Sequence, residues 1–226
     1  MRLFLHQLRA EQKLFWRSRE LAFFTNWSFA HPPAIELAER IAQLAPSGLE
    51  RVFFTSGGSE AVESAWKLAR AFHRVRGEPD RTKIVARELA YHGTTMGALA
   101  ATGITPLRAP FEPFTPGGCH VPNTNQYRLK PGFGPEMLAD AVAERIEFEG
   151  PETVAAVILE PVQNAGGCFT PPPGYFQRLR EICDRHGVLL VAGVTFLVTR
   201  QVVTPVRMAR RVAERLAGWL REAAAD

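Results

Sequence analysis

Apolar residues recur along this chain in two rhythms, short continuous runs and stripes spaced three or four apart, and the two alternate. Val154-Ala155-Ala156-Val157-Ile158-Leu159 is continuous, as expected of a strand buried on both faces of a parallel sheet. Residues 83–86 and 188–192 read the same way, 51–54 reads as a short aromatic strand, and another is expected near Cys119-His120-Val121. Helical stripes fall between them. Ile35, Leu37, Ala38, Ile41 and Leu44 predict a helix led in by Pro32-Pro33 and stopped at Pro46. Val62, Ala65, Trp66, Ala69 and Phe72 predict a second, beginning near Glu60. Further helices are expected over about 94–101, 136–148 and 175–186, the last stopped by Gly187. Strands alternating with helices imply an α/β fold, a mostly parallel sheet with helices on both faces.

The two ends are less regular. In residues 1–24, Leu5, Leu8, Leu14 and Phe15 interleave with Arg9, Lys13, Arg17 and Arg19, and Glu11 and Glu20 favour a surface helix over a membrane-seeking one or a presequence. Near the other end, Val206, Ala209, Val212, Ala213, Leu216 and Leu220 form one stripe, with Arg207, Arg210, Arg211 and Arg215 on the rest. The chain is therefore expected to divide into an N-terminal helical segment (1–45), a sheet-and-helix body (46–193) and a strand-and-helix tail (194–226).

Composition narrows the function classes. With 226 residues, 46% apolar and 22% charged, the chain can bury a sizeable core. Its formal charge of +4 comes from basic residues dispersed among acids, which argues against a nucleic-acid footprint. No apolar run reaches the length of a bilayer span. Cys119, Cys168 and Cys183 are odd in number and lack metal-ligand spacing, so a cytoplasmic location and no metal are expected.

The candidate chemistry starts at Thr55-Ser56-Gly57-Gly58-Ser59, between the predicted strand at 51–54 and the helix after it. Small residues there let a ligand approach the backbone, and the helix start offers unpaired N–H groups to an anion. The turn is neither a Walker A loop nor a GxGxxG fingerprint. By spacing alone it is equally a plain strand-to-helix connection. Glu160 ends the most apolar strand at its carboxyl end, where open α/β sheets bind ligands. A charge there is either capped by local N–H groups or turned to a site. By themselves, Tyr91 is a half-buried tyrosine and His92 a loop histidine. Ser59, Glu160 and position 193 are expected along one sheet edge.

The wording of GGSEAVESAWKLAR, of Tyr91-His92-Gly93 and of EPVQNAGG closely resembles the class III, fold type I, pyridoxal-phosphate-dependent aminotransferases, and the likeness runs from about Phe23 to Ala192. The resemblance implies that 46–193 is a partial cofactor-binding large domain. It implies that Gly58 and Ser59 hold the cofactor phosphate, that Tyr91, with His92 beside it, stacks on the pyridine ring, and that Glu160 faces cofactor and substrate amine. It further implies amino transfer from an amine or amino acid to a 2-oxo acid, in a homodimer or a pairing with a homologue.

Two family features are missing. An aspartate-glutamate-valine step follows this strand in the family and partners the pyridine nitrogen, but here Gly193-Val194-Thr195 follows, and no acid occurs before Glu214. The only lysines are Lys13, Lys67, Lys83 and Lys130, none matching the Schiff-base lysine. No catalytic residue is therefore assigned, and weak cofactor binding by a truncated or internally deleted, inactive chain is expected. A non-catalytic fragment that pairs with a full-length homologue is the second expectation.

Overall fold

The computed structural model describes residues 30–193, apart from 31, 46–47, 115–116, 130, 133, 164 and 166. The expectations for residues 1–24, for Pro46, for Lys13 and Lys130, and for the 194–226 tail lie outside the described residues. The chain divides into two compact units, Met1–Val52 and Phe53–Asp226. The described helix of the first is α1 (Pro32–Leu44), opening on the two prolines that preset its first turn.

In the second unit, α2 (Gly58–Val75) begins two residues earlier than the apolar stripe predicted, because Gly58 and Ser59 already belong to its first turn. β1 (Lys83–Arg87) follows, then α3 (Met96–Ala101), a single turn α4 (Thr105–Arg108) and β2 (Gly118–Val121). α5 (Met137–Glu149), β3 (Val154–Leu159), α6 (Tyr175–His186) and β4 (Leu189–Ala192) complete it. α4 sits in a Pro- and Gly-rich stretch where no helix was expected, since one turn leaves no periodic signal.

The strands pair in parallel in the order β2-β1-β3-β4. The chain thus leaves β1 toward one side and returns to β3 on the other, so the crevice at the carboxyl ends of β1 and β3 is a topological switch point. Alternation along the strands splits the core. Val85, Val157 and Leu159 meet α5 and α6 through Leu138, Val142, Leu179 and Ile182. Ile84, Ala86, Ala156 and Ile158 meet α2 and α3 through Val62, Trp66, Ala69 and Ala98. All six residues of β3 are buried, as a continuous apolar run requires.

One sequence expectation fails. Residues 51–54 form no strand, and Phe53 is 79% exposed. Aromatic and β-branched residues make a strand only when a neighbour supplies the ladder, and among the described residues none lies beside them.

Candidate functional site

The site is built from the start of α2 and the carboxyl ends of β1, β3 and β4. Gly57 is the extended residue before α2, and the N–H of Ala61 returns to its carbonyl at 3.0 Å. Gly58 and Ser59 follow as the first turn, whose N–H groups have no intrahelical partner. Glu60 folds back, its carboxylate accepting from the Ser56 N–H at 2.9 Å.

The Tyr91-His92-Gly93 segment leaves β1 and docks onto this helix start at two levels. The Ser59 Oγ accepts the Thr94 N–H at 3.0 Å. One turn further along, the Glu63 carboxylate accepts from the Thr95 hydroxyl (2.7 Å) and from the N–H groups of Gly97 (2.8 Å) and Ala98 (3.1 Å). Glu63 thus caps α3, whose own N-cap residue Thr95 makes no side-chain cap. Gly93 permits the approach: it has φ +137°, and a Cβ there would strike the Ser59 hydroxyl and Ala98.

At the end of β3, Glu160 is 7% exposed and its Oε1 accepts the Tyr91 N–H at 3.2 Å. Its Oε2 lies 3.6 Å from a guanidinium nitrogen of Arg87, which ends the adjacent β1 and is 1% exposed. That guanidinium also donates to the Glu160 carbonyl and, at 3.4 Å, to the Thr124 hydroxyl. Burial raises the Glu160 carboxyl above its ordinary range, and the Arg87 charge and the Tyr91 N–H oppose the shift. Of the two alternatives posed for a charge at this strand end, the local one is what the structure describes: the Tyr91 N–H caps one oxygen and the Arg87 guanidinium faces the other, which has no hydrogen-bond partner.

His92 lies in a loop, as expected of it, and is fully buried. Its N–H donates to the Thr102 hydroxyl at 3.0 Å, while neither ring nitrogen has a hydrogen-bond partner. Burial, helped by the charges of Arg87 and His120, pushes its pKa down to about 3, so the ring is neutral. Tyr91 is half-buried, as expected of it. Gly193 continues the ladder beyond β4, its N–H reaching the Leu159 carbonyl at 2.7 Å.

Ser59, Tyr91, His92 and Glu160 are thus joined through Thr94, Thr102 and Arg87 into one crevice wall, with position 193 beside Glu160. Gln163, from the same EPVQNAGG segment, is fully buried there, with its Nε2 on the Glu88 carbonyl (2.7 Å) and its Oε1 unpartnered. Sequence reasoning missed Arg87, Glu63 and Gln163. Arg87 carried the same signal as Glu160, a charge closing an apolar strand at its carboxyl end. The two described lysines sit elsewhere. Lys67 is exposed in mid-α2, and Lys83 starts β1 with its Nζ on the Glu149 carbonyl (2.8 Å) and carboxylate (2.9 Å).

An open parallel sheet with a helix start and paired charges at its switch point is the arrangement at which α/β sheets bind ligands, and comparison with known proteins assigns the class. Residues 17–193 match the family described as Aminotransferase class-III. A protein of Mycobacterium tuberculosis named probable aminotransferase is 62% identical over 178 residues, covering 76% of this chain and 38% of that protein. The beta-alanine–pyruvate aminotransferase of Pseudomonas aeruginosa is 38% identical over 180 residues, covering 76% and 39%. An amine transaminase from an uncultivated Pseudomonas species, solved in its PLP-bound form, superposes with a TM-score of 0.72 at 36% identity, covering 81% of this chain and 43% of that one. The chain belongs to the class III aminotransferases, with the fold type I architecture and pyridoxal phosphate as the cofactor of the class. It spans about two fifths of the length of the relatives it matches.

Proposed function

We propose that this chain is the cofactor-cup portion of a class III aminotransferase, able to hold pyridoxal phosphate by its phosphate but not to transaminate alone. The observation that carries this reading is the Ser59–Thr94 bond, which fixes the start of α2 against the segment bearing Tyr91 and His92. The first-turn N–H groups of Gly58 and Ser59 would donate to the phosphate, at the positive end of an 18-residue helix. The Ser59 hydroxyl accepts from Thr94 and keeps its own proton to donate. A Cβ at Gly57 would meet nothing within 4 Å, so there is room beside the turn for a bulky anion. Tyr91 would flank the ring, and Glu160, held by Arg87 and the Tyr91 N–H, would stand near the substrate amine. The His92 ring is closed off from solvent and would support the segment from beneath.

When bound, pyridoxal phosphate supplies an electron-withdrawing ring that stabilises negative charge on a substrate carbon. Two requirements of that chemistry do not fit the chain. Gly193 offers no acid to a pyridine nitrogen, and neither described lysine reaches the crevice. Amino transfer between an amine and a 2-oxo acid therefore belongs, in this reading, to the full-length architecture, and the chain would take part only by pairing with a homologue.

Calorimetry on the purified chain tests the cup. Pyridoxal phosphate should bind about ten-fold or more tightly than pyridoxal, a difference of about 1.4 kcal/mol, with inorganic phosphate competing. Ser59→Glu should abolish the difference by like-charge repulsion. Borohydride should fix no cofactor at a unique lysine. Equal binding of pyridoxal and its phosphate would sink the cup, and a single stoichiometric adduct would sink the claim that the chain lacks its catalytic amine.

A further inference from the structure

The segment that carries Tyr91 hangs from side chains. Among the described residues, none of Tyr91, His92, Gly93 and Thr94 takes part in a backbone–backbone hydrogen bond. Three of their N–H groups go instead to side chains on three different elements. Tyr91 donates to the Glu160 carboxylate at the end of β3 (3.2 Å), His92 to the Thr102 hydroxyl at the end of α3 (3.0 Å), and Thr94 to the Ser59 hydroxyl in the first turn of α2 (3.0 Å). Thr102 in turn shares its proton between the carbonyls of Gly93 and Ala98, each 3.1 Å away. The stance of the segment therefore depends on how α3 stands against α2. Six residues are too few for α3 to hold itself as a helix, and Thr95 before it makes no side-chain cap. Glu63, in the second turn of α2, supplies the missing partner: its Oε1 accepts from the Thr95 hydroxyl and from the Gly97 and Ala98 N–H groups. Such bonds are stronger for the carboxylate's charge. Position 97 lets it come close, since a Cβ on Gly97 would stand 2.5 Å from the Glu63 carboxylate. The bonds close a circuit, from Glu63 to the start of α3, from Thr102 at its end to His92 and Gly93, from Thr94 to Ser59, and along one turn of α2 back to Glu63.

We propose that Glu63 is a positioning residue of the cofactor cup: by holding α3 to α2 it keeps the Tyr91–Thr94 segment docked on the first turn of α2, and with it Tyr91 beside the cofactor ring. This role rests on the cup proposed at Gly58 and Ser59 for its ligand, and on the circuit for its means. The two parts of the ligand meet different parts of the chain. The phosphate's donors, the N–H groups of Gly58 and Ser59, belong to α2 itself, and nothing in α3 presents them. Tyr91 reaches the site through α3 and its ties. Loss of Glu63 should therefore remove the ring's share of the affinity and spare the phosphate's. The Glu63 carboxylate is also a negative charge one turn from the anion, so its removal does not weaken phosphate binding.

Two measurements on the full 226-residue chain test this. The first needs no ligand. Glu63→Ala should speed hydrogen exchange of the 91–94 amides about ten-fold or more while 154–159 stays protected, and Glu63→Gln, which keeps an acceptor oxygen, should leave them within about three-fold of the parent. The second is calorimetry with pyridoxine phosphate, which has no aldehyde to react with lysines, against inorganic phosphate. The parent chain should bind pyridoxine phosphate about five-fold or more tightly than phosphate, the worth of one aromatic contact. In Glu63→Ala that ratio should fall to about one, with phosphate bound as well as before or better, and Glu63→Gln should restore the ratio. Where Glu63→Ala loses the fold, Thr102→Val breaks the circuit at its other end and carries the same two expectations. A ratio or a 91–94 exchange rate that the broken circuit leaves unchanged overturns the role of Glu63 and leaves the cup standing. Phosphate affinity that falls in step with that of pyridoxine phosphate overturns it too, because Glu63 would then hold the whole site and not the segment. Failure of phosphate to bind the parent chain sinks the cup and this role together, and shows itself before any substitution is made.

Discussion

The two edges of the sheet treat their buried polar groups differently. At the amino edge, the Arg81 guanidinium donates to the carbonyls of Pro151 (2.8 Å), Val154 (3.1 Å) and His186 (3.1 Å), tying β3 and the end of α6 to the start of β1. The Trp66 Nε1 reaches the Thr82 carbonyl at 2.8 Å, and the ring of His73 bridges Glu78 and the Ala155 carbonyl at 2.9 Å each. The amino edge leaves two buried side-chain atoms without a hydrogen-bond partner, the Nε of Arg81 and the Nε2 of His186; at the carboxyl edge six lack one, both ring nitrogens of His92, the Nε of Arg87, the Oε2 of Glu160, the Oε1 of Gln163 and the Tyr175 hydroxyl. Buried polar atoms are normally paired, so a concentration of unpaired ones marks the place where folding is not the only demand on the sequence. The amino edge ties strands and helices together; the carboxyl edge leaves more of its buried polar atoms unpaired.

Breaking the amino edge should cost most. Arg81→Ala strands three backbone carbonyls and should lower stability by about 3 kcal/mol or more, read from urea unfolding. A loss under about 1 kcal/mol would erase the contrast between the edges.

Acid should attack the carboxyl edge next. His92 has a folded pKa near 3 against an ordinary 6.5, so the unfolded chain binds the extra proton between those values. Stability therefore falls as pH drops below about 6.5, by about 3 kcal/mol at pH 4 from this group alone. Glu160, whose carboxyl burial raises, acts in the opposite sense over the carboxylate range and softens the fall. Unfolding at stepped pH of the parent chain and of His92→Phe should show the slope flattened in the variant. Parallel slopes would mean that the ring is protonated in the folded chain.

The smallest effect sharpens the comparison. Tyr175→Phe removes a buried hydroxyl that lies near the Arg87 charge but makes no full hydrogen bond, so stability should stay within about 0.5 kcal/mol by urea unfolding. A loss beyond 1 kcal/mol would show that the phenol is bonded and that this edge is better satisfied than it looks.

Most of the fold was legible because its elements are long and strongly patterned. The buried strand at 154–159 and the helix at 175–186 were predicted at the bounds the structure has. The segment at 51–54 was misread because a strand is a property of a pair, and the sequence shows only one member. For the site, Ser59 and Glu160 stood out by their positions beside glycines and at a strand end, and Tyr91 only through the resemblance of its segment. Arg87 went unread although it closes an apolar run as Glu160 does, because nothing in Lys83-Ile84-Val85-Ala86-Arg87 says that its last side chain turns inward. Glu63 was hidden for a related reason. Its partners, Thr95, Gly97 and Ala98, lie more than thirty residues away, and no local pattern announces a cap supplied by another helix.

That remote cap also bears on when the cup comes into being as the chain is made. The bonds from Ser59 to Thr94 and from Glu63 to Thr95, Gly97 and Ala98 all close between residues 32 to 35 positions apart. The Arg87–Glu160 contacts span 73, and closing a longer loop costs more chain entropy. During vectorial synthesis the cup's ties can form once residue 98 has emerged, sixty-two residues ahead of the carboxylate that completes the crevice wall. The half of the site around the start of α2 thus has a head start over the half around Glu160.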